Sequence, residues 1–371
     1  MKILHLNSNF LYTRIYENLL DNMDENFEHI IFNPRKKGNN IVVKSKYQVY
    51  DPEIINKFDS YLTFHRRNKS LNYLRKNLKI NDDILVHAHT LSNDGVLAYS
   101  LFKKYGCNYI LTIRNTDVNF TLKYKKHLIP LFKKVLINAK IIIFPNYSYK
   151  NKLKAYFENN ESIINKIDNS IVIQNGIEPI WLNNIQSTKK NINIKKEINL
   201  LYVGRIYKQK NIHRVLTAIK SLNEISNLKI NYKIVGEIID LEYFEKIKSI
   251  TEFNYLGAKT KTEIIEIMKQ CEIFIMPSEN ETFGLVYIEA LTQNLPIIYS
   301  KNEGIDGYFE DESLGKAVDP FDVNAIIDAI NYVVDNYSDI QITLEDKTIF
   351  ENFKWENIGY NYNQLYKESK W

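Results

Sequence analysis

Glycine is scarce in this chain. There are 12 in 371 residues, under half the ~7% of average usage. Cysteine is limited to Cys107 and Cys271, far apart and without metal-ligand spacing, which excludes a disulfide framework and suits a reducing cytoplasm. No apolar run approaches ~18 residues, so no membrane-spanning helix is expected. The opening MKILHLNSNF lacks the shape of a cleavable signal. No GxGxxG follows a strand-like run and no GxxxxGK[ST] occurs, which removes the dinucleotide fingerprint and the P-loop.

Hydrophobic residues make up 44% and charged residues 25%, with 26 Tyr and 18 Phe, the balance of a folded protein. The net charge of +5 hides an asymmetry: residues 1–190 hold 29 Lys/Arg against 16 Asp/Glu, and residues 191–371 hold 20 against 28. The excess gathers in HRRNKSLNYLRKNLK (65–79), with Leu71, Leu74 and Leu78 at helical spacing, and in KYKKHLIPLFKK (123–134). Such stretches suit a solvated helix face, an anionic membrane surface or a polyanionic substrate. They lack interleaved aromatic platforms and a recognisable module, which argues against nucleic acid.

Strand-like runs alternate with helix-like ones. In the first half they are 1–6, 28–32, 83–89, 108–114, 140–145 and 170–176; in the second, 198–204, 229–236, 253–257, 273–278 and 295–300. Ile212, Val215, Leu216, Ile219 and Leu222 form a helical stripe between two of them. Near-continuous apolar strands separated by helices predict an α/β protein with parallel sheets covered on both faces. At this length the reading is two domains, 1–182 and 198–352, joined by a polar linker at 183–197 and followed by a helix over 353–371.

Gly204, Gly236 and Gly257 each close a strand of the second half, as turn residues do and as the rim of a ligand crevice does. In PSENETFGLVYIEAL (277–291) a helix is predicted to begin near Gly284, and a helix amino terminus favours phosphate. Glu281 lies before that helix and Glu289 about one turn inside it. Beside a phosphate site such carboxylates suit hydroxyl donors of ribose or a sugar; they also simply complement a helix dipole. In GRIYKQKN, Arg205 and Lys210 are placed to clamp a diphosphate, a fork and a point charge. His87 and His89 alternate at a strand end and invite a metal, but no third ligand stands near them in sequence.

GRIYKQKN, followed by PSENETFGLVYIEAL and NLPII, resembles the retaining glycosyltransferases of family 4, with their E-x7-E signature at Glu281 and Glu289. MKILHLNSNF, HAHT, TIRNTDVN and VIQNGI extend the likeness over nearly the whole chain. The resemblance implies the GT-B fold: two facing Rossmann-like domains, the acceptor domain first and the nucleotide-sugar domain second, with the last helix packing back across them. It implies a metal-independent hexosyl transfer with retention, from a UDP- or GDP-type donor to a glycan or lipid-linked acceptor, needing no cofactor and no protein nucleophile. Glu289 would hold the ribose, Glu281 would contact the donor sugar, and the backbone of Phe283, Gly284 and Leu285 would bind sugar and phosphate. Arg205 and Lys210 would neutralise the departing diphosphate, and Gly204 and Gly257 would line the nucleotide. Asn7, His89, Arg114 and Asp117 fall on the sugar or acceptor side. Members usually carry paired glycines where this chain has NSNFLYT, and many carry His-Gly where it has Arg114-Asn115; arginine there suits an acidic sugar or an acceptor phosphate. Cell-surface polysaccharide synthesis at the inner face of the membrane follows. An epimerase of similar architecture, or an inactive partner subunit with the same fold, are the other readings.

Overall fold

The computed structural model describes residues 1–38, 45–60, 62–186, 196–226, 228–310 and 312–369. The predicted linker 183–197 therefore lies largely outside the described residues.

The chain divides into two compact units, residues 1–176 with 355–371 and residues 177–354. The division falls earlier than the polar stretch, because Ile177 and Trp181 are buried in the core of the second unit. The first unit is built on seven strands: β1 (Lys2–Leu6), β2 (Glu28–Phe32), β3 (Gln48–Tyr50), β4 (Leu85–Ala88), β5 (Tyr109–Thr112), β6 (Ile141–Phe144) and β7 (Ile171–Val172). All pair in parallel, in the order β3-β2-β1-β4-β5-β6-β7. The second unit has β8 (Glu197–Val203), β9 (Lys229–Val235), β10 (Asn254–Tyr255), β11 (Ile273–Ile275), β12 (Ile297–Ser300) and β13 (Gly315–Val318), parallel in the order β10-β9-β8-β11-β12-β13. Both sheets reverse their winding beside the first strand, between β1 and β4 and between β8 and β11. Such a switch point opens a crevice beyond the carboxyl ends of the strands.

Strand alternation splits the first core in two. Leu4, Val86, Leu111 and Ile142 pack on one face with the helices of the first half. Ile3, Leu85, Ile110 and Ile143 pack on the other with Trp355, Ile358, Tyr362, Leu365 and Tyr366 of the helix Trp355–Ser369. That helix comes close enough at Gly359 that any side chain there would strike the Asn22 carbonyl. The stripe of the helix Ile212–Ile225 is buried against the second sheet. Among the described residues, no helix is long and apolar enough to cross a membrane.

Candidate active site

At the switch point of the second sheet, the segment after β8 and the segment after β11 are fastened together. Tyr202 donates its hydroxyl to the Arg205 carbonyl at 2.8 Å, pinning the turn that leaves β8. Asn211, fully buried with φ 62°, donates to the carbonyls of Pro277 and Pro320 at 2.9 and 2.6 Å. Its own side-chain oxygen accepts from Arg214 at 2.7 Å, and Arg214 pairs with Glu279 at 3.0 Å. The Glu279 amide closes the seam by donating to the Gln209 carbonyl at 2.9 Å. Sequence reading passed over Asn211 and Arg214, although an asparagine ahead of a helical stripe is a recognised capping signal.

This fastening brings Lys210 to Glu281. The two side chains, 13% and 14% exposed, form an ion pair at 2.6 Å. The Glu281 amide donates to Glu303 at 3.2 Å, and its Oε1 accepts from the Thr282 amide at 3.0 Å. Gly284 (φ 77°) and Gly304 (φ 53°) flank the Glu281 stem, since a Cβ at either would come within 3.1 Å of its Cγ. Glu303 and Gly304, distant in sequence, thus complete the turn. Arg205 is exposed at its edge.

The helix Leu285–Thr292 starts from Gly284, whose left-handed backbone leaves room for the ring of Tyr287 beneath it. Tyr287 is buried and donates its hydroxyl to the Met276 carbonyl, tying the helix to the end of β11. Phe283 turns inward, packing against Tyr308 and Phe353, so only its backbone is offered to a ligand. The amides of Gly284, Leu285 and Val286 have no hydrogen-bond acceptor among the described residues, which is the chemistry of an anion site.

Glu289 sits apart from Glu281, in the company of Lys261 and Glu178, which pair with each other. Burial pushes its carboxyl up to about 7; the Lys261 cation opposes this and the Glu178 anion adds to it. The Trp181 indole favours the ionised form in turn, as further donors would.

The glycine rim has mixed causes. Gly204, Gly236 and Gly257 follow β8, β9 and β10, and the amides of Gly204 and Gly236 donate to Val235 and Gly257 at 2.9 Å. At Gly236 a side chain would collide with the Gly204 carbonyl, so that glycine serves the crossing of strand ends. Gly257 has open space around it and a left-handed φ of 73°, which suits a turn.

In the first unit, Asn7, His89 and Arg114 follow β1, β4 and β5, at that sheet's own switch point. Asp117 is fully buried, and its oxygens accept from the amides of Leu91 (2.9 Å), Ser92 (3.3 Å) and Arg114 (3.0 Å). It therefore shapes the loops after β4 and β5 and offers no oxygen to solvent. The sequence reading that no third ligand stands near His87 and His89 needs correction. His5 pairs in register with His87 across β1 and β4, and one nitrogen from each of His5, His87 and His89 lies within 4.8 Å of the others. Those nitrogens are already engaged: His5 meets His89 at 3.1 Å and His29 at 2.9 Å, while His87 meets Tyr366 at 2.6 Å and Thr112 at 2.8 Å. His5, His29 and His89 thus form a hydrogen-bonded chain, and His87, stacked on His89 at 4.0 Å, bonds separately to Tyr366 and Thr112. Burial, with neighbouring charges adding, depresses all four imidazoles, His29 to about 4 and His87 to about 3.

Comparisons with known proteins agree with this architecture. Residues 184–348, most of the second unit, match the family model for glycosyl transferases group 1. An uncharacterized glycosyltransferase of Methanocaldococcus jannaschii is 24% identical over 316 residues, covering 82% of each chain. Among solved structures, sucrose-phosphate synthase of Thermosynechococcus elongatus superimposes with a TM-score of 0.71 at 16% identity, over 99% of this chain and 98% of that one. HepE of Anabaena in complex with UDP superimposes with a TM-score of 0.69 at 13% identity, over 99% and 100% of the two chains. The two Rossmann-like units make up a GT-B fold.

Proposed function

We propose that this protein is a retaining glycosyltransferase of the E-x7-E type, moving a hexosyl unit from a nucleoside-diphosphate sugar to a glycan or lipid-linked glycan acceptor. The observation that carries the reading is the seam in which the Lys210–Glu281 pair stands beside the unpartnered amides of Gly284 to Val286. A diphosphate docks on those amides, with Arg205 and Lys210 neutralising the charge that grows as it leaves. Preorganised groups of that kind typically contribute ~10²–10³ in rate each. Lys210 must then exchange part of its contact with Glu281 for phosphate, which frees that carboxylate to accept hydroxyls of the donor sugar. Glu289 accepts the ribose hydroxyls, and Gly204 and Gly257 lie along the nucleotide.

The fixed cations take the place of a metal ion at the leaving group, and no protein nucleophile is assigned. UDP is the first base to try, since HepE was crystallised with it. For the acceptor, the first unit offers exposed aromatics beside cations: Arg67 over Phe64 at 5.2 Å, and Lys123 over Tyr124 at 5.4 Å with Phe120 close by. Such pairs suit an anionic membrane surface and a lipid-linked acceptor at its cytoplasmic face.

The test is a thermal-shift panel with UDP, GDP, ADP, TDP and CMP, each with and without EDTA. A ligand at ~100 times its dissociation constant adds about 2.7 kcal/mol and raises the midpoint visibly. One nucleotide should stabilise the wild type regardless of EDTA, Glu289→Ala should lose that shift, and Glu281→Ala should keep it while losing turnover. No shift with any nucleotide would sink the proposal.

A further inference from the structure

The buried polar atoms of the first unit do not all balance. Among the described residues of this unit five buried side-chain nitrogens lack a hydrogen-bond partner, Nε2 of His29 and Nε1 of Trp355 included; the other three are Nδ2 of Asn7, Nδ1 of His89 and Nε of Arg114. The residues of these three follow β1, β4 and β5, neighbours in the sheet, so the three stand in a row at its switch point. Asn7 and His89 are 1% and 2% exposed and line one narrow crevice with Tyr16. The Arg114 guanidinium lies over the Tyr16 ring at 5.4 Å, and that ring meets His89 edge-on at 5.1 Å. The remaining capacity of Asn7 and His89 is spent, Asn7 Oδ1 on the Asn9 amide at 3.0 Å and His89 Nε2 on His5 at 3.1 Å.

Charge is unbalanced at the same place. Among the described residues, no carboxylate pairs with Arg114, and its guanidinium makes no side-chain hydrogen bond. Its neighbours are Tyr16, Tyr362 of the last helix and the imidazoles of His87 and His89, kept neutral chiefly by burial. Asp117, three residues on, has given its oxygens to backbone amides. An orphaned buried donor is destabilising, and a half-buried cation without a counter-ion more so. Three such groups stand at the ends of neighbouring strands.

We propose that Arg114, Asn7 and His89 form an oxyanion subsite, the arginine as cation and the other two as neutral donors, for a carboxylate or phosphate carried by one of the substrates. The subsite rests on the glycosyltransferase reading and adds a substrate class to it: an acidic donor sugar or a phosphorylated acceptor. Both present the same pair of acceptor oxygens to a guanidinium fork.

The experiment is saturation-transfer NMR on the full chain with sodium glucuronate, glycerol 1-phosphate and glucose, for the wild type, Arg114→Gln and Arg114→Lys. One of the two anions should bind the wild type roughly tenfold or more tighter than glucose, and Arg114→Gln should bring it down to the level of glucose. Arg114→Lys, which keeps the charge and loses the fork, should fall between them. Preference for glucuronate assigns the anion to the sugar; preference for glycerol 1-phosphate assigns it to the acceptor. Equal binding of all three probes, no binding of either anion, or an Arg114→Gln profile matching the wild type would overturn the subsite. The nucleotide panel on the same preparations reports separately on the second unit, so failure of the subsite and failure of the glycosyltransferase reading give different patterns.

Discussion

A fully buried and a half-buried carboxylate, Asp117 and Glu289, meet different surroundings. Burial pushes Glu289 to about 7 and Asp117 to about 6, but Asp117 is held by three backbone amides whereas Glu289 lies beside the Lys261 cation and the Glu178 anion. The folded pKa of Glu289 lies above its unfolded value, so its stabilising contribution is full below about 4.5 and is lost as pH rises through about 7. Glu289→Gln removes that loss. Melting midpoints of variant and wild type should coincide near pH 5 and separate in the variant's favour above about pH 8; a constant gap across that range would show that ionisation is not the cause. Asp117→Asn takes away the charge and one acceptor, and should cost ~1–3 kcal/mol in urea unfolding with nucleotide binding unchanged. If the same variant abolished nucleotide binding with stability intact, Asp117 would be a ligand contact after all. Spacing made Glu281 and Glu289 legible because eight residues across a turn and a helix start are local geometry. Asn211, Glu303 and the third histidine were not legible, since each reaches its partner only after distant strands have paired.

At the scale of elements, every interior strand was read from its apolar run, as were the edges β7 and β10, and the two that escaped notice are the other two edges. Gln48–Tyr50 and Gly315–Val318 are three and four residues long, lie at one end of their sheets and carry no continuous apolar run. An edge strand pairs on one side only, and short, polar edges are common protection against further pairing. The last helix was legible from its periodic aromatics, but the tightness of its docking was not. Gly359 lies against the Asn22 carbonyl, so Gly359→Ala must push the helix off its seat. Overpacking of that kind costs roughly 1–3 kcal/mol. The expected result is a lower unfolding midpoint, with hydrogen exchange rising in Trp355–Ser369 and in β1; unchanged protection there would show that the helix can shift at no cost.

For the whole molecule, the chain passes from the first unit to the second and returns to the first for its final helix. Removing residues 355–371 uncovers Ile3, Leu85, Ile110 and Ile143. That truncation should destabilise residues 1–176 while residues 177–354 still bind the nucleotide, as followed by hydrogen exchange with and without UDP. Cooperative loss of both units would mean that their stabilities are coupled. The sequence alone determined the class of architecture, two parallel sheets with covering helices, because hydrophobic periodicity reports local burial directly. It also determined the principal candidate residues of the second unit, because they lie on two short contiguous segments. Tertiary structure decided what each group meets: Lys210 on Glu281, Asp117 on backbone amides, His5, His29 and His89 in one hydrogen-bonded chain, and three orphaned nitrogens in a row beyond β1, β4 and β5. Those outcomes depend on strand order and register, which bring together residues tens to hundreds of positions apart and leave no local trace in the chain.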